Sequence, residues 1–170
     1  QLLLALEADA RECQSIDTLM ASLANNPRRL LGYRQAFVLK PGLSGKFQVS
    51  EISSMAAVDR TSPLVRWVEN LVTNLLRDNG GREGLDFQLP AFCNGDDEDT
   101  ASYPFRNVLY VPLLDNAGDV QAIWLLMRDK VWLPGDLSVA ERLAGTFAHA
   151  LRALNGPKRS SRKKRSLISM

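Results

Sequence analysis

The sequence predicts an α+β fold: an antiparallel sheet with the N- and C-terminal helices packed on one face. Three observations carry this. Residues 107–114 and 120–128 are apolar runs separated by Asp115-Asn116-Ala117-Gly118, a hairpin pattern with glycine where a positive φ is needed. In residues 134–154, Leu137, Ala140, Ala144, Phe147, Leu151 and Leu154 recur at helical spacing. The chain orders as helix, two strands, helix, loop, two strands, helix, with no internal repeat.

Residues 2–12 are helix-prone, with Leu2, Leu3, Leu6 and Ala10 on one side. Residues 15–31 continue as helix through Ile16, Leu19, Met20, Leu23 and Leu30, with an end or kink expected at Asn25-Asn26-Pro27 and a stop at Gly32. Residues 33–40 read as the first strand. Pro41 to Gly45 forms a turn, and residues 46–53 make the hairpin partner, with Phe47, Val49 and Glu51 alternating against Gln48, Ser50 and Ile52. Ser62 and Pro63 open a helix to Asp78, whose apolar stripe is Leu64, Trp67, Val68, Leu71, Val72 and Leu75. Asn79-Gly80-Gly81 ends it. Residues 79–104 are expected to be mostly loop, with a short strand over 85–89. Pro112 lacks an amide proton, so its strand should be unpaired or irregular there. The last helix starts at Pro134, or at Ser138 if Ser138 and Glu141 form a capping box, and Gly156-Pro157 should end it.

At 170 residues the chain is one domain, here residues 1–156, followed by a basic tail, 157–170. A chain opening at Gln1 is expected to be a piece of a longer protein. The formal net charge of +2 hides an asymmetry. Six cations, Lys158, Arg159, Arg162, Lys163, Lys164 and Arg165, sit in the tail. That leaves 15 cations against 19 acids, a net −4, in residues 1–157. A mildly acidic body argues against nucleic acid as a partner. The tail admits three readings: a solvated segment, the cytoplasmic flank of a membrane span that begins beyond Met170, or a nucleic-acid or nuclear-import contact.

Little in the sequence resembles catalytic machinery. Cys13 and Cys93, 80 positions apart, match neither a disulfide framework nor a zinc site and read as free thiols in a reducing, cytoplasmic compartment. The single histidine, His149, falls beside the last helix's apolar stripe, where a surface position is expected. No glycine-rich phosphate loop, HExxH or GxSxG is present. Asp96-Asp97-Glu98-Asp99 lacks the spacing and glycine of a calcium loop and reads as solvated loop. The expectation is a protein that is not an enzyme and holds no cofactor or metal.

Arg106 to Leu154, with Val111-Pro112-Leu113 in the first strand and Trp132 and Asp136 leading into the helix, resembles the C-terminal half of a GAF domain. Element order extends the resemblance over residues 2–154; the PAS fold is related. The resemblance implies a sensory or regulatory module that binds a small molecule or a partner, within a larger signalling or membrane-associated protein. It implies a ligand cavity under a long loop, with Phe87, Phe105, Arg106, Tyr110 and Trp124 as candidate lining and Arg106 gripping an anion. The alternatives are a ligand-free homodimerisation module using residues 2–31 and 134–154, and a redox enzyme like the GAF-related methionine sulfoxide reductases, acting through Cys93. The Asn-Lys and Phe-Asp-Glu signature of cyclic-nucleotide-binding relatives is missing. Cys93 also lacks the neighbouring histidine that bilin-binding relatives use.

Overall fold

The computed structural model describes residues 1–95 and 97–169, and for 157–169 the backbone alone. Asp96 and the side chains of the basic tail, with the expectations attached to them, lie outside the described residues.

Two helices open the chain, α1 (Leu2–Glu12) and α2 (Ile16–Asn25). The Ser15 hydroxyl caps α2 by accepting from the Thr18 amide at 3.1 Å. The break expected at Asn25-Asn26-Pro27 is present: a separate turn, α3 (Arg28–Leu31), follows and stops at Gly32. That glycine is left-handed at φ 65°, and its N–H donates to the Arg28 carbonyl at 2.8 Å.

Next come β1 (Gln35–Pro41) and β2 (Phe47–Ile52). Tyr33 precedes the strand and donates its buried hydroxyl to the Ala24 carbonyl at 2.7 Å, tying α2 to the sheet. Strict alternation along β2 does not hold. The register shifts opposite Val38/Leu39, leaving Ser50 without a strand partner, so Val49 and Ile52 reach the same core. This is a β-bulge, and one extra residue reverses the facing of everything beyond it.

After Ser62 and Pro63 comes α4 (Pro63–Asn79), ended by Gly80 at φ 88°. The expected loop contains β3 (Leu85–Gln88) and also a short helix, α5 (Glu98–Ser102). The sequence did not announce α5. Its acids read as solvation, yet Asp97 caps it through the Asp99 amide, and Glu98 and Asp99 sit in the first turn where the helix end favours negative charge. β4 (Asn107–Leu114) and β5 (Val120–Arg128) keep the bounds the sequence predicted. β3 begins opposite Tyr110 and runs back toward Asn107, so Pro112 lies where β4 is paired on one side only.

All pairings are antiparallel, in the order β2-β1-β5-β4-β3. Alternation in the central strands sorts two cores. Ala36, Val38, Leu109, Val111, Leu113, Ala122, Trp124 and Leu126 meet α1, α2 and α6 (Pro134–Ser169) on one face. Phe37, Leu39, Val108, Tyr110, Ile123, Leu125 and Met127 meet α4 and the segment after β3 on the other. Both terminal helices thus share a face, as expected. α6 begins at Pro134, not Ser138, because the Asp136 carboxylate accepts from the Leu133 amide at 2.7 Å and fixes the first turn. His149 is exposed beside the buried Phe147 and Ala148. The helical backbone runs on through Gly156-Pro157, where an end was expected; a proline removes one N–H donor there without ending the helix. Among the described residues no helix is long and apolar enough to cross a membrane.

One polar contact locks α1 to α6. Glu7 is 5% exposed, and its carboxylate accepts from the Thr146 hydroxyl at 2.8 Å and from Arg142 at 3.3 Å. The Thr146 hydrogen bond, helped by Arg142, holds the Glu7 carboxyl below its ordinary pKa against the opposing effect of burial. A folded-state pKa below the unfolded one stabilises the fold above the ordinary glutamate range and loses that contribution as pH falls through the folded value. Glu7→Gln should therefore lower the melting temperature at pH 7, with the gap to the parent closing below about pH 4. An equal gap at pH 7 and pH 3 would contradict this role.

Candidate functional site

The expected cavity lies between the sheet, α4 and the segment 89–106 that crosses over them. A polar latch fastens this lid. The Trp67 indole N–H donates to the Thr100 hydroxyl at 2.8 Å, and Arg106 donates to the carbonyls of Thr100 at 2.9 Å and Tyr103 at 3.1 Å. The Asn74 amide donates to the Phe92 carbonyl at 2.9 Å and to Asn94 at 3.1 Å, and the Tyr103 hydroxyl donates to Gln35. Rings fill the volume beneath. Trp67 lies 4.7 Å from Tyr103, Tyr103 meets Phe105 edge-on at 5.6 Å, and Phe87 meets Phe92 edge-on at 5.0 Å.

A crevice between α4 and the lid, against Trp67, Leu71, Asn74 and Cys93, measures about 10 Å³, no more than one water occupies. A shallow recess of about 180 Å³ beside it, against Leu64, Trp67, Tyr103 and Pro104, opens outward.

Of the five candidate lining residues, Phe87, Phe105, Arg106 and Tyr110 come to this side of the sheet. Trp124 does not. β5 alternates, so Ile123 and Leu125 face α4 while Trp124 is buried under the terminal helices. Tyr110 is itself enclosed, donating its hydroxyl to the Gly81 carbonyl at 2.7 Å, and burial raises its pKa far above the ordinary tyrosine value. A Cβ on Gly81 would lie 2.6 Å from that hydroxyl oxygen and 2.2 Å from a Leu76 methyl, so the position demands glycine on space as well as on its φ of 72°. Arg106 binds lid carbonyls and presents its bonded nitrogen to the lid, not to a cavity. Phe105 carries the Arg34 guanidinium over its ring at 5.4 Å. Sequence reasoning missed Thr100, Asn74 and Asn94. Nothing in their local pattern marks a latch that joins residues 18 to 33 positions apart.

Cys93 is half-buried at the lid, with its thiol pushed up chiefly by burial and lowered less by Thr100 and Arg106. Cys13 is also raised, by burial and by Asp9 and Glu12, and packs against the core on the opposite face of the sheet. Neither setting makes a reactive thiolate. Iodoacetamide at pH 7.5 should label both thiols more slowly than it labels glutathione; faster labelling of Cys93 would revive the redox reading.

Solved structures decide the fold. The GAF domain of a phosphoenolpyruvate-protein phosphotransferase from Coxiella burnetii superposes with a TM-score of 0.69 at 9% identity, over 93% of this chain and 95% of that one. The fold is that of a GAF domain. A fragment of a methyl-accepting chemotaxis protein matches at TM-score 0.66 and 12% identity, over 90% of this chain and 98% of its own. The GAF domain of a two-component sensor histidine kinase from Bacillus halodurans matches at 0.56 and 13%, over 84% and 97%. No protein-family model matches the sequence, and a search of curated proteins returns no match, so the likeness is one of structure. Within this GAF fold the side chains beneath the lid are packed against one another.

Proposed function

We infer that the chain is a non-enzymatic regulatory module of GAF fold that works through contacts of its terminal helices, not through a ligand enclosed beneath the lid. The observation that carries this is the packing under the lid, where Trp67, Tyr103 and Phe105 contact one another, Phe87 meets Phe92, and the Trp67 indole and Arg106 are bonded to the lid itself. The helix pair on the other face suits the task. Glu7 bolts α1 to α6, so a displacement of one is transmitted to the other. Leu4 on α1 is 58% exposed, and Leu2 beside it 37%. Structures of this fold come from a sensor kinase and a chemotaxis protein, which supports a signalling setting within a larger protein.

The partner proposed for the helix face is a second copy of the chain. Sedimentation velocity of the full chain should show a dimer at micromolar concentration. Leu4→Glu should convert it to a monomer with little change in melting temperature. A parent protein that stays monomeric up to about 0.1 mM would overturn the reading. The basic tail is proposed as a cytoplasmic juxtamembrane flank. Low-salt co-sedimentation with anionic vesicles, lost on deletion of 158–165, would support it, and absence of binding would remove it.

A further inference from the structure

A cleft of about 740 Å³ opens on the helix face, between the start of α2, the end of β1, the β4–β5 hairpin and residues 151–156 in the middle of α6. It lies across the sheet from the lid. Its size falls in the range of small-molecule sites. Ile16, Pro41, Val120 and Leu151 give it apolar walls, and Lys40, Asp115, Asn116, Gln121, Arg152 and Asn155 its polar groups.

Arg152 is the unusual member. It is half-buried, and its Nη1 donates to the Leu114 carbonyl at 2.8 Å, which fixes the guanidinium. Among the described residues no carboxylate lies within ion-pair distance of it. Residues 142–170 contain no acid. The acids nearby are occupied or distant. Asp115 accepts the turn amides of Ala117 and Asp119, each at 2.9 Å, and Asp17 pairs with Lys40 at 3.8 Å. Glu141 shares a second, smaller cleft with Arg152 but stays beyond pairing distance. A fixed, partly desolvated guanidinium beside apolar walls is suited to one chemistry, a carboxylate carried on an apolar body.

We propose that this cleft binds a small organic carboxylate with a branched or aromatic body, its carboxylate on Arg152 and its body on Ile16, Pro41, Val120 and Leu151. Leu151, Arg152 and Asn155 all belong to α6, so occupancy bears directly on the helix that leaves the domain. The site is independent of the dimer proposed above: a dimer that binds no carboxylate leaves that reading intact, and a monomer that binds one leaves this site intact.

The test is a ¹H–¹⁵N NMR titration of the full chain with 4-methylpentanoate and phenylacetate, each beside its neutral amide, and with inorganic phosphate. The acids should give saturable shifts at Ile16, Val120, Gln121 and Arg152. The amides should bind at least about tenfold more weakly, the cost of one charge-assisted contact, and phosphate, lacking the body, should not compete. Arg152→Gln should weaken the acids by a similar factor. It should still fold, because Gln121 also donates to the Leu114 carbonyl, at 3.2 Å. Asn155→Asp, which leaves Arg152 and its anchor in place, should weaken the acids as well by adding a negative charge to the cleft. No saturable shift with either acid, equal binding of acid and amide, or affinity unchanged in both variants would overturn the proposal.

Discussion

Phe147→Ala should cost about 3–5 kcal/mol of folding free energy. Phe147 is 0% exposed and lies at the centre of the face where α6 meets the sheet, among Trp124, Leu143 and Leu151 of one core. Removing the ring forfeits its transfer free energy and leaves a hole bordered by strand residues that cannot move in without breaking the sheet. His149, two positions on, is exposed, and His149→Ala should change stability by less than about 1 kcal/mol. Urea denaturation of the two variants separates them. Equal losses would mean that the face of α6 has been misassigned.

Arg128→Ala should be the next most damaging, at about 3 kcal/mol. The side chain ends β5 and gathers four partners. Nε donates to the Lys130 carbonyl at 3.2 Å, Nη1 to Leu31 at 3.2 Å, and Nη2 to Val131 at 2.7 Å and to Asp136 at 3.2 Å. Its guanidinium stacks 3.8 Å over the Trp132 ring. Arg128 and Asp136 are only 14% and 23% exposed, so this pair is neither screened nor easily replaced by water. It pins the end of α3, the β5–α6 connection and the first turn of α6 together. Arg128→Met keeps the stem on Trp132 but not the donors, and should recover only a small part of the loss. A drop below about 1 kcal/mol for Arg128→Ala, measured by denaturation, would show that the network is dispensable.

The fold was legible where local chemistry and burial agree. Hairpin residues 115–118 mark the β4–β5 turn, Ser62-Pro63 starts α4, and the stripe through Phe147 aims α6, so these elements follow from spacing alone. The bulge at Ser50 was not legible, because an extra residue is set by how β1 and β2 pair, not by either strand's pattern. α5 was hidden because Asp97, Glu98 and Asp99 suit a helix N-terminus and a solvated loop equally.

The candidate site was half legible. Aromatic residues do gather around Phe87, Phe105 and Tyr110. Whether rings enclose a space or fill it depends on the partners of Trp67 and Arg106, which sequence spacing does not reveal. Trp124 lies across the sheet from the other four candidates because β5 alternates, and residue type alone does not show which face of a strand an aromatic takes. Its indole nitrogen is buried with no partner, in a face the cavity does not reach. Arg152 drew no notice in the sequence. A surface arginine on a helix is ordinary, and its lack of a carboxylate partner exists only in three dimensions.

The central claim is that the volume beneath the lid belongs to the protein's own side chains. The chain has three tryptophans, each in a different place: Trp67 under the lid, Trp124 between sheet and helices, Trp132 under Arg128. Their indole N–H signals can be followed separately by ¹⁵N NMR while the two carboxylates and their amides are added. The account predicts that the Trp67 signal, held by the Thr100 hydroxyl at 2.8 Å, stays fixed throughout. A saturable shift of the Trp67 signal with any of these compounds would show a ligand entering beneath the lid and would contradict the account.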